Sequence, residues 1–501
     1  MIGIKSAMLG SITVMCLALS CDHSDSGDMS LTILQTSADG DKLTIIHPVK
    51  DAEAITDTVV INSTVEFQTI TGFGGAFTES SAYVLNKLSP RTKHQVMAAY
   101  FSDSGAQYSL TRTHMNSCDF SLNHYSYTPM INDTTLESFS ISEDTADLIP
   151  MIKQAQALST SGFKIIASPW TASPWMKDNN HWYGGKLLKR YYKTWATTFV
   201  KYAEAYAKEG IPIWAFTVEN EPLGNDEHWE SMHFTPNEMA DFVKNHLGPQ
   251  LKDNNIPARI LVYDQNRGPE LEEWASVLLN DDTLKPYIYG TAVHWYTSTN
   301  DWFPASLQHT HNLAPNKSII HTEGCIDSEV PHWNDDAWYW EKEATDWGYE
   351  WASQENKKYH PKYVPCYRYA RDIIGCMNNW IEGWVDWNMV LDRSGGPNLA
   401  QNWCIAPIIA DTKNDEVYIT PLYYVLSHFS KYIRPNAVRI GVTQSTNKNL
   451  HVTAARNEDG SKVVVLFNES ENPIHYRLDI DGHKKQILIK KKAIQTIFLK
   501  P

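Results

Sequence analysis

Two glutamates stand where apolar runs end in turn-forming residues. The run from Ile213 ends Thr217-Val218-Glu219-Asn220-Glu221-Pro222, and the run from Ile319 ends His321-Thr322-Glu323-Gly324-Cys325. A close pair of carboxyl groups suits glycoside hydrolysis: one protonates the leaving oxygen while the other attacks the sugar or activates water. A single glutamate at a strand end is more often a structural hydrogen-bond acceptor. Two of them, with Trp, His, Tyr and Asn at the ends of neighbouring runs, favour chemistry.

Eight such runs recur between residues 66 and 390, at 67–77, 108–116, 163–170, 213–221, 260–266, 288–296, 319–323 and 383–388. Between them lie stretches such as 186–208 and 236–251, with the three-and-four spacing of amphipathic helices. Eight strand-and-helix units predict an α/β fold, an eight-fold β/α (TIM) barrel over 66–430, whose active site lies at the C-terminal ends of its strands. Outside that span the pattern changes to short alternating strands, at 31–34, 42–46 and 59–61 before it and from 438 to 489 after it. Neither set is long enough for a core of its own. One β-sandwich is therefore expected, built from both chain ends, residues 30–65 and 431–501.

Composition narrows the function. The chain of 501 residues carries 43 basic and 58 acidic side chains, a net charge of −15, which would repel a phosphate backbone. The lysines at 484, 485, 490, 491 and 492 flank apolar runs and read as the solvated ends of edge strands, so no nucleic-acid partner is expected. All 18 tryptophans fall between Trp170 and Trp403. Indole faces stack on the apolar face of a sugar ring, so this clustering agrees with a carbohydrate cleft in the barrel.

The strings GFGGAFTES (72–80), NSCDFS (116–121), ASPWTASPWMK (167–177), TVENEP (217–222), AVHWY (292–296), TEGC (322–325), GWVDWN (383–388), GGPN (395–398) and HFSKYIRP (428–435) occur in that order. With them the chain resembles glycoside hydrolase family 30, in the branch of glucosylceramidases and endo-β-1,6-glucanases. The resemblance implies Glu221 as general acid/base, Glu323 as nucleophile of a retaining reaction, and Asn220 as a partner of the sugar 2-hydroxyl. It also implies that Arg112, Asp119, Trp170, His294, Tyr296 and Trp387 line the glucose subsite. Glu219 lies two residues before Glu221, on the same face of an extended strand, and is assigned a supporting role.

The substrate implied is a β-linked glucan or glucoside. β-1,6-Glucan comes first, and an exo-acting β-glucosidase or glucosylceramidase-like activity is the alternative. A glycan-binding protein on an inactive barrel is disfavoured because both glutamates are present. No cofactor is expected, and no cysteine or histidine spacing reads as a metal site. A segment reaching to about residue 365 follows Cys325 and carries Trp333, Trp338, Trp340, Trp347 and Trp351. These either wall an extended cleft or pack among themselves.

The N-terminus begins with Lys5 and an apolar stretch from Ala7 to Leu19 before Ser20-Cys21, followed by a polar run to residue 29. Residues 1–20 read as an export signal, with LALSC resembling a bacterial lipoprotein cleavage box and Cys21 as the lipidated residue. A secreted, membrane-anchored protein, periplasmic or at the cell surface, is expected, touching the membrane only through Cys21. An ordinary cleaved signal is the alternative. Cys118, Cys325, Cys366, Cys376 and Cys404 then remain, an odd number, with Cys366 and Cys376 either bridged or both thiols.

Overall fold

The computed structural model describes residues 31–49, 55–298, 300–327, 365–401, 404–443 and 447–501. Cys21 and the tryptophan-rich segment 333–351 lie outside the described residues.

Eight parallel strands close into a barrel: Gly72–Phe77, Leu110–Met115, Lys164–Pro169, Ala215–Thr217, Arg259–Asn266, Ile288–His294, Ser318–Glu323 and Ile381–Asn388. They are called barrel strands one to eight below. Each predicted run overlaps one of them, with strands five, seven and eight beginning one or two residues before the run. Seven strands contribute one apolar side chain each to the barrel interior: Leu110, Ile166, Ala215, Leu261, Ala292, Ile320 and Val385. Strand one contributes a glycine instead. A Cβ on Gly74 would sit 2.0 Å from the carbonyl oxygen of Leu110, so only glycine permits strands one and two to approach there.

The predicted run 67–77 proves to be parts of two strands. Asp57–Thr69 is one long strand of the terminal sheet, and barrel strand one begins only at Gly72. Apolar residues continue across the junction because Ile70 is wholly buried, so hydrophobicity gives no sign of the break.

The chain ends form one nine-stranded hydrogen-bonded ladder. Leu31–Ser37 pairs antiparallel with Ala493–Leu499, and Asp57–Thr69 lies between Val438–Thr443 and Ile474–Ile480. The ladder curls over a single core shared by Ile33, Ile61, Val464, Leu478 and Ile497. Across that core the Tyr476 hydroxyl donates to Oε1 of Gln495 at 2.9 Å, although their strands are not neighbours in the ladder.

Helix Pro421–Ser430 joins barrel to sheet, with Pro421 at its first turn, where a missing N–H leaves no hydrogen bond unmade. Its buried His428 bonds Thr496 through Nδ1 at 2.8 Å and Thr36 through Nε2 at 2.9 Å. One side chain thus ties the barrel's last helix to both chain ends. Burial pushes the His428 imidazole down to about 3, which keeps it neutral. Arg434 completes the junction, donating to the carbonyls of Gln107 at 2.8 Å and Ser430 at 2.6 Å. The string HFSKYIRP is therefore an interface between the two cores.

Candidate active site

Arg112 rises from the middle of barrel strand two and is wholly buried. Its guanidinium uses every nitrogen. Nε donates to Ser168 Oγ at 2.9 Å, Nη2 to Asn220 Oδ1 at 2.8 Å and to Asp264 Oδ2 at 2.7 Å, and Nη1 to Glu323 Oε2. Strands two, three, five and seven and the turn after strand four are thereby gathered around one cation.

Glu323 ends strand seven with both carboxylate oxygens engaged: Oε2 by Arg112, and Oε1 by the Tyr296 hydroxyl at 3.0 Å. Burial pushes its carboxyl above the usual range, and Arg112 and then His294 pull against that rise. Glu221 lies four residues beyond strand four in a left-handed backbone conformation, φ 48°, that few residues other than glycine adopt. Its N–H donates to the Asp264 carbonyl at 2.9 Å and its own carbonyl accepts from Gly224 N at 2.6 Å, which holds the turn. This turn changes the reading of Glu219. Strand alternation stops at Thr217, so Glu219 and Glu221 do not share a strand face. Glu219 is fully buried beside the charge of Lys177, burial raises its carboxyl strongly, and it has no exposed edge to offer a substrate.

His294, at the end of strand six, spans the site. Nδ1 lies 3.2 Å from Glu221 Oε1 and Nε2 lies 3.0 Å from Asp264 Oδ1. Burial alone would lower its basicity, but Asp264 and Glu323 outweigh burial and raise it to about 9. The ring is therefore an imidazolium at neutral pH, donating from both nitrogens. One ligand-type atom from each of Glu221, His294 and Glu323 lies within 4.8 Å of the others. Arg112 already donates to one oxygen of Glu323 in that cluster.

Trp170 directly follows strand three, Trp387 is the last residue but one of strand eight, and the two stack on each other, centroids 5.1 Å apart and planes 19° from parallel. The Arg112 guanidinium lies 4.9 Å from the Trp170 ring and 5.6 Å from Trp387. Each indole is only 1% exposed, so they stand as a packed pair rather than as open platforms. Asp119 is half-buried, and its Oδ1, itself shielded from solvent, has no hydrogen-bond partner among the described residues. Burial and the nearby Glu323, Glu230 and Glu221 raise its carboxyl well above the ordinary range.

The structure thus brings Arg112, Asn220, Glu221, His294, Tyr296 and Glu323 into one hydrogen-bonded network, with Trp170 and Trp387 against its arginine. Asp264 is the residue that sequence reading missed. It accepts from Arg112, His294 and Thr322 Oγ1, and burial fails to offset the two cations and these hydrogen bonds, so its carboxyl stays far below the usual range. Its place near the end of strand five was a usable signal. What aims it is a bulge: the register shifts between Tyr263 and Gln265, with φ of 77° at Tyr263 and 59° at Asp264.

Residues 70–433 match the glycosyl hydrolase family 30 TIM-barrel domain, and residues 436–497 match the family's beta sandwich domain. The chain belongs to glycosyl hydrolase family 30. Among family relatives, the lysosomal acid glucosylceramidase of Mus musculus is 36% identical over 418 residues, 82% of this chain and 76% of that one. The endo-1,6-beta-D-glucanase of Neurospora crassa is 28% identical over 428 residues, 82% of this chain and 81% of its own. The solved endo-beta1,6-glucanase BT3312 superimposes with a TM-score of 0.78 at 27% identity, over 94% of this chain and 100% of that one. As a family 30 member the protein is a glycoside hydrolase, and the buried network at its strand ends is its candidate active site.

Proposed function

We propose that this glycoside hydrolase cleaves β-glucosidic bonds with retention of configuration, through a covalent glycosyl-enzyme on Glu323. The observation that carries the reading is the approach of the two carboxylates, one oxygen of Glu221 lying within 4.8 Å of one oxygen of Glu323. Retaining enzymes hold their carboxyl groups about 5–5.5 Å apart, whereas inverting ones leave about 6.5–9.5 Å for a water. Glu323 attacks the anomeric carbon while Glu221 protonates the departing oxygen, and Glu221 then takes a proton from the water that releases the sugar. Arg112 and Tyr296 fix the nucleophile's two oxygens, and the His294 imidazolium orients Glu221. Asp119, with an unmatched buried oxygen, is suited to a sugar hydroxyl, and the Asn220 amide nitrogen to the 2-hydroxyl. The expected first product is the β-anomer in a proton NMR time course. An α-anomer appearing first would overturn retention.

β-1,6-Glucan is the leading substrate, supported by the likeness of nearly the whole chain to an endo-beta1,6-glucanase. The higher identity to a glucosylceramidase favours a second reading, exo-action on a single terminal glucose. Chromatography of products from β-1,6-glucan, β-1,3-glucan, aryl β-glucosides and glucosylceramide separates them. Oligosaccharides from β-1,6-glucan support endo-action; glucose or ceramide alone supports the second. The reading extends to an exported enzyme anchored at Cys21, which incorporation of labelled palmitate, and its loss in Cys21→Ala, would test.

A further inference from the structure

Two thiols sit beside the nucleophile and take no part in the chemistry proposed above. Cys325 follows Glu323 by two residues, and Cys404 opens a short strand that pairs antiparallel with residues 326–327, Asp327 opposite Cys404 and Ile326 opposite Ile405. Both side chains are buried in the cluster that holds Trp170, Trp387 and Tyr296. Both stand as thiols, and their sulfurs are 3.6 Å apart. A disulfide requires about 2.05 Å, so bonding closes a gap of roughly 1.5 Å shared between two side chains.

The pair is also connected to the reacting group. The Tyr296 hydroxyl oxygen lies 3.4 Å from the Cys325 sulfur and 3.0 Å from Oε1 of Glu323, so one hydroxyl contacts both thiol and nucleophile. The remaining thiols differ. Cys118 contacts Ser121, and Cys376 contacts Arg267 and Asp372; among the described residues, Cys325 and Cys404 are the thiols in contact with each other.

We propose that Cys325 and Cys404 form a reversible dithiol switch, closed by a peroxide, that acts on the site through Tyr296 and Glu323. The inference rests on Glu323 being the nucleophile. In the first step a thiolate sulfur attacks one peroxide oxygen, the O–O bond breaks, and a sulfenic acid and one water result. The second thiolate then attacks that sulfur, the S–S bond forms, and hydroxide departs and takes a proton as a second water. Two thiols and one hydrogen peroxide give one disulfide and two waters, with two electrons passing from sulfur to peroxide oxygen. Cys325 is 5% and Cys404 3% exposed, so each thiol residue keeps a small edge toward solvent, from which a molecule as small as peroxide approaches.

Closure acts in two ways. The Cys325 sulfur loses its hydrogen and is drawn toward Cys404, so the Tyr296 hydroxyl loses a neighbour that now shares it with Glu323. The pull is also transmitted through Gly324, the one residue between Cys325 and the nucleophile. Displacing a reacting group by about 1 Å can cost about 100-fold in rate. Reduction restores both contacts.

The test treats the purified full chain with hydrogen peroxide, blocks remaining thiols under denaturing conditions, and maps peptides by mass. The expected result is a Cys325–Cys404 cross-linked peptide two hydrogens lighter than the separate thiols. Hydrolysis of an aryl β-glucoside should fall at least about tenfold and return with dithiothreitol. In Cys404→Ser, and in Cys404→Val should the serine variant fold poorly, the ratio of oxidised to reduced activity should stay near one. Failure of the cross-link to form overturns the switch and leaves the role of Glu323 standing, because the mass readout does not depend on it. A cross-link that forms with unchanged activity overturns the switch equally. Full activity in Glu323→Gln would instead defeat the assignment of the nucleophile.

Discussion

The Asp264 carboxylate lies 2.7 Å from the Arg112 guanidinium, and neither side chain has any contact with solvent. A buried pair of this kind holds its members in one geometry, and removing one member leaves the other charge uncompensated. Asp264 also bonds His294, so it positions the two groups that contact Glu323 and Glu221. Asp264→Asn should therefore lower stability by about 3–5 kcal/mol, the cost of breaking a buried pair. It should also reduce kcat more than KM is raised, because positioning is lost rather than sugar contacts. Urea unfolding and steady-state kinetics on an aryl glucoside check both effects, and an unchanged kcat, or a rise in KM as large as the fall in kcat, would count against the positioning role.

The two glutamates should differ by leaving group. Glu221→Ala should lose activity on unactivated glucosides yet form the glycosyl-enzyme from activated aryl glucosides, whose leaving groups need no proton. Added azide should then speed turnover and give a β-glycosyl azide, detectable by mass and NMR. Glu323→Gln should remain folded and be inactive on both substrate types, with no azide product.

His294 predicts a pH dependence of stability. Its folded value is raised to about 9, whereas an unfolded histidine titrates near 6.5. The folded protein therefore keeps a proton that the unfolded chain has lost. The stabilisation is fully present below about 6.5 and disappears as pH rises through 9, with a slope of up to about 1.4 kcal/mol per pH unit. Lys177, pushed down to about 7 by burial, contributes the opposite slope in the same window. The measurement is thus the difference in urea stability between wild type and His294→Gln at several pH values. That difference should shrink from pH 6.5 to 9.

His428 tests the union of the chain ends. His428→Ala leaves Thr36 and Thr496, both wholly buried, without their imidazole partner. Each lost partner costs about 1–3 kcal/mol, so stability should fall while kcat per folded molecule is unchanged. A fall in kcat at temperatures where the variant remains folded would show that the junction also supports the site.

Much of this protein was legible from residue order. Apolar runs located all eight barrel strands because a strand buried on both faces in a barrel is apolar along its length. Strand ends then pointed to Glu221 and Glu323, since parallel strands in a barrel all present the same end to the site. The shared sheet was foreseeable for a similar reason: each chain end had alternating strands and neither had enough of them.

Other features depend on contacts between distant segments, and only the closed barrel determines them. The register of strand five against strand six produces the bulge that turns Asp264 toward Arg112, and 152 residues separate the two partners of that ion pair. The turn at Glu221 ends the strand alternation that would have set Glu219 beside it. Cys325 and Cys404 are 79 residues apart in sequence and meet because strand seven and the segment after strand eight leave the barrel side by side. Residue types and local periodicity decide which elements form and what chemistry their ends carry. Which side chains touch is decided by barrel closure, because contact between groups far apart in the chain follows from how strands register around the ring.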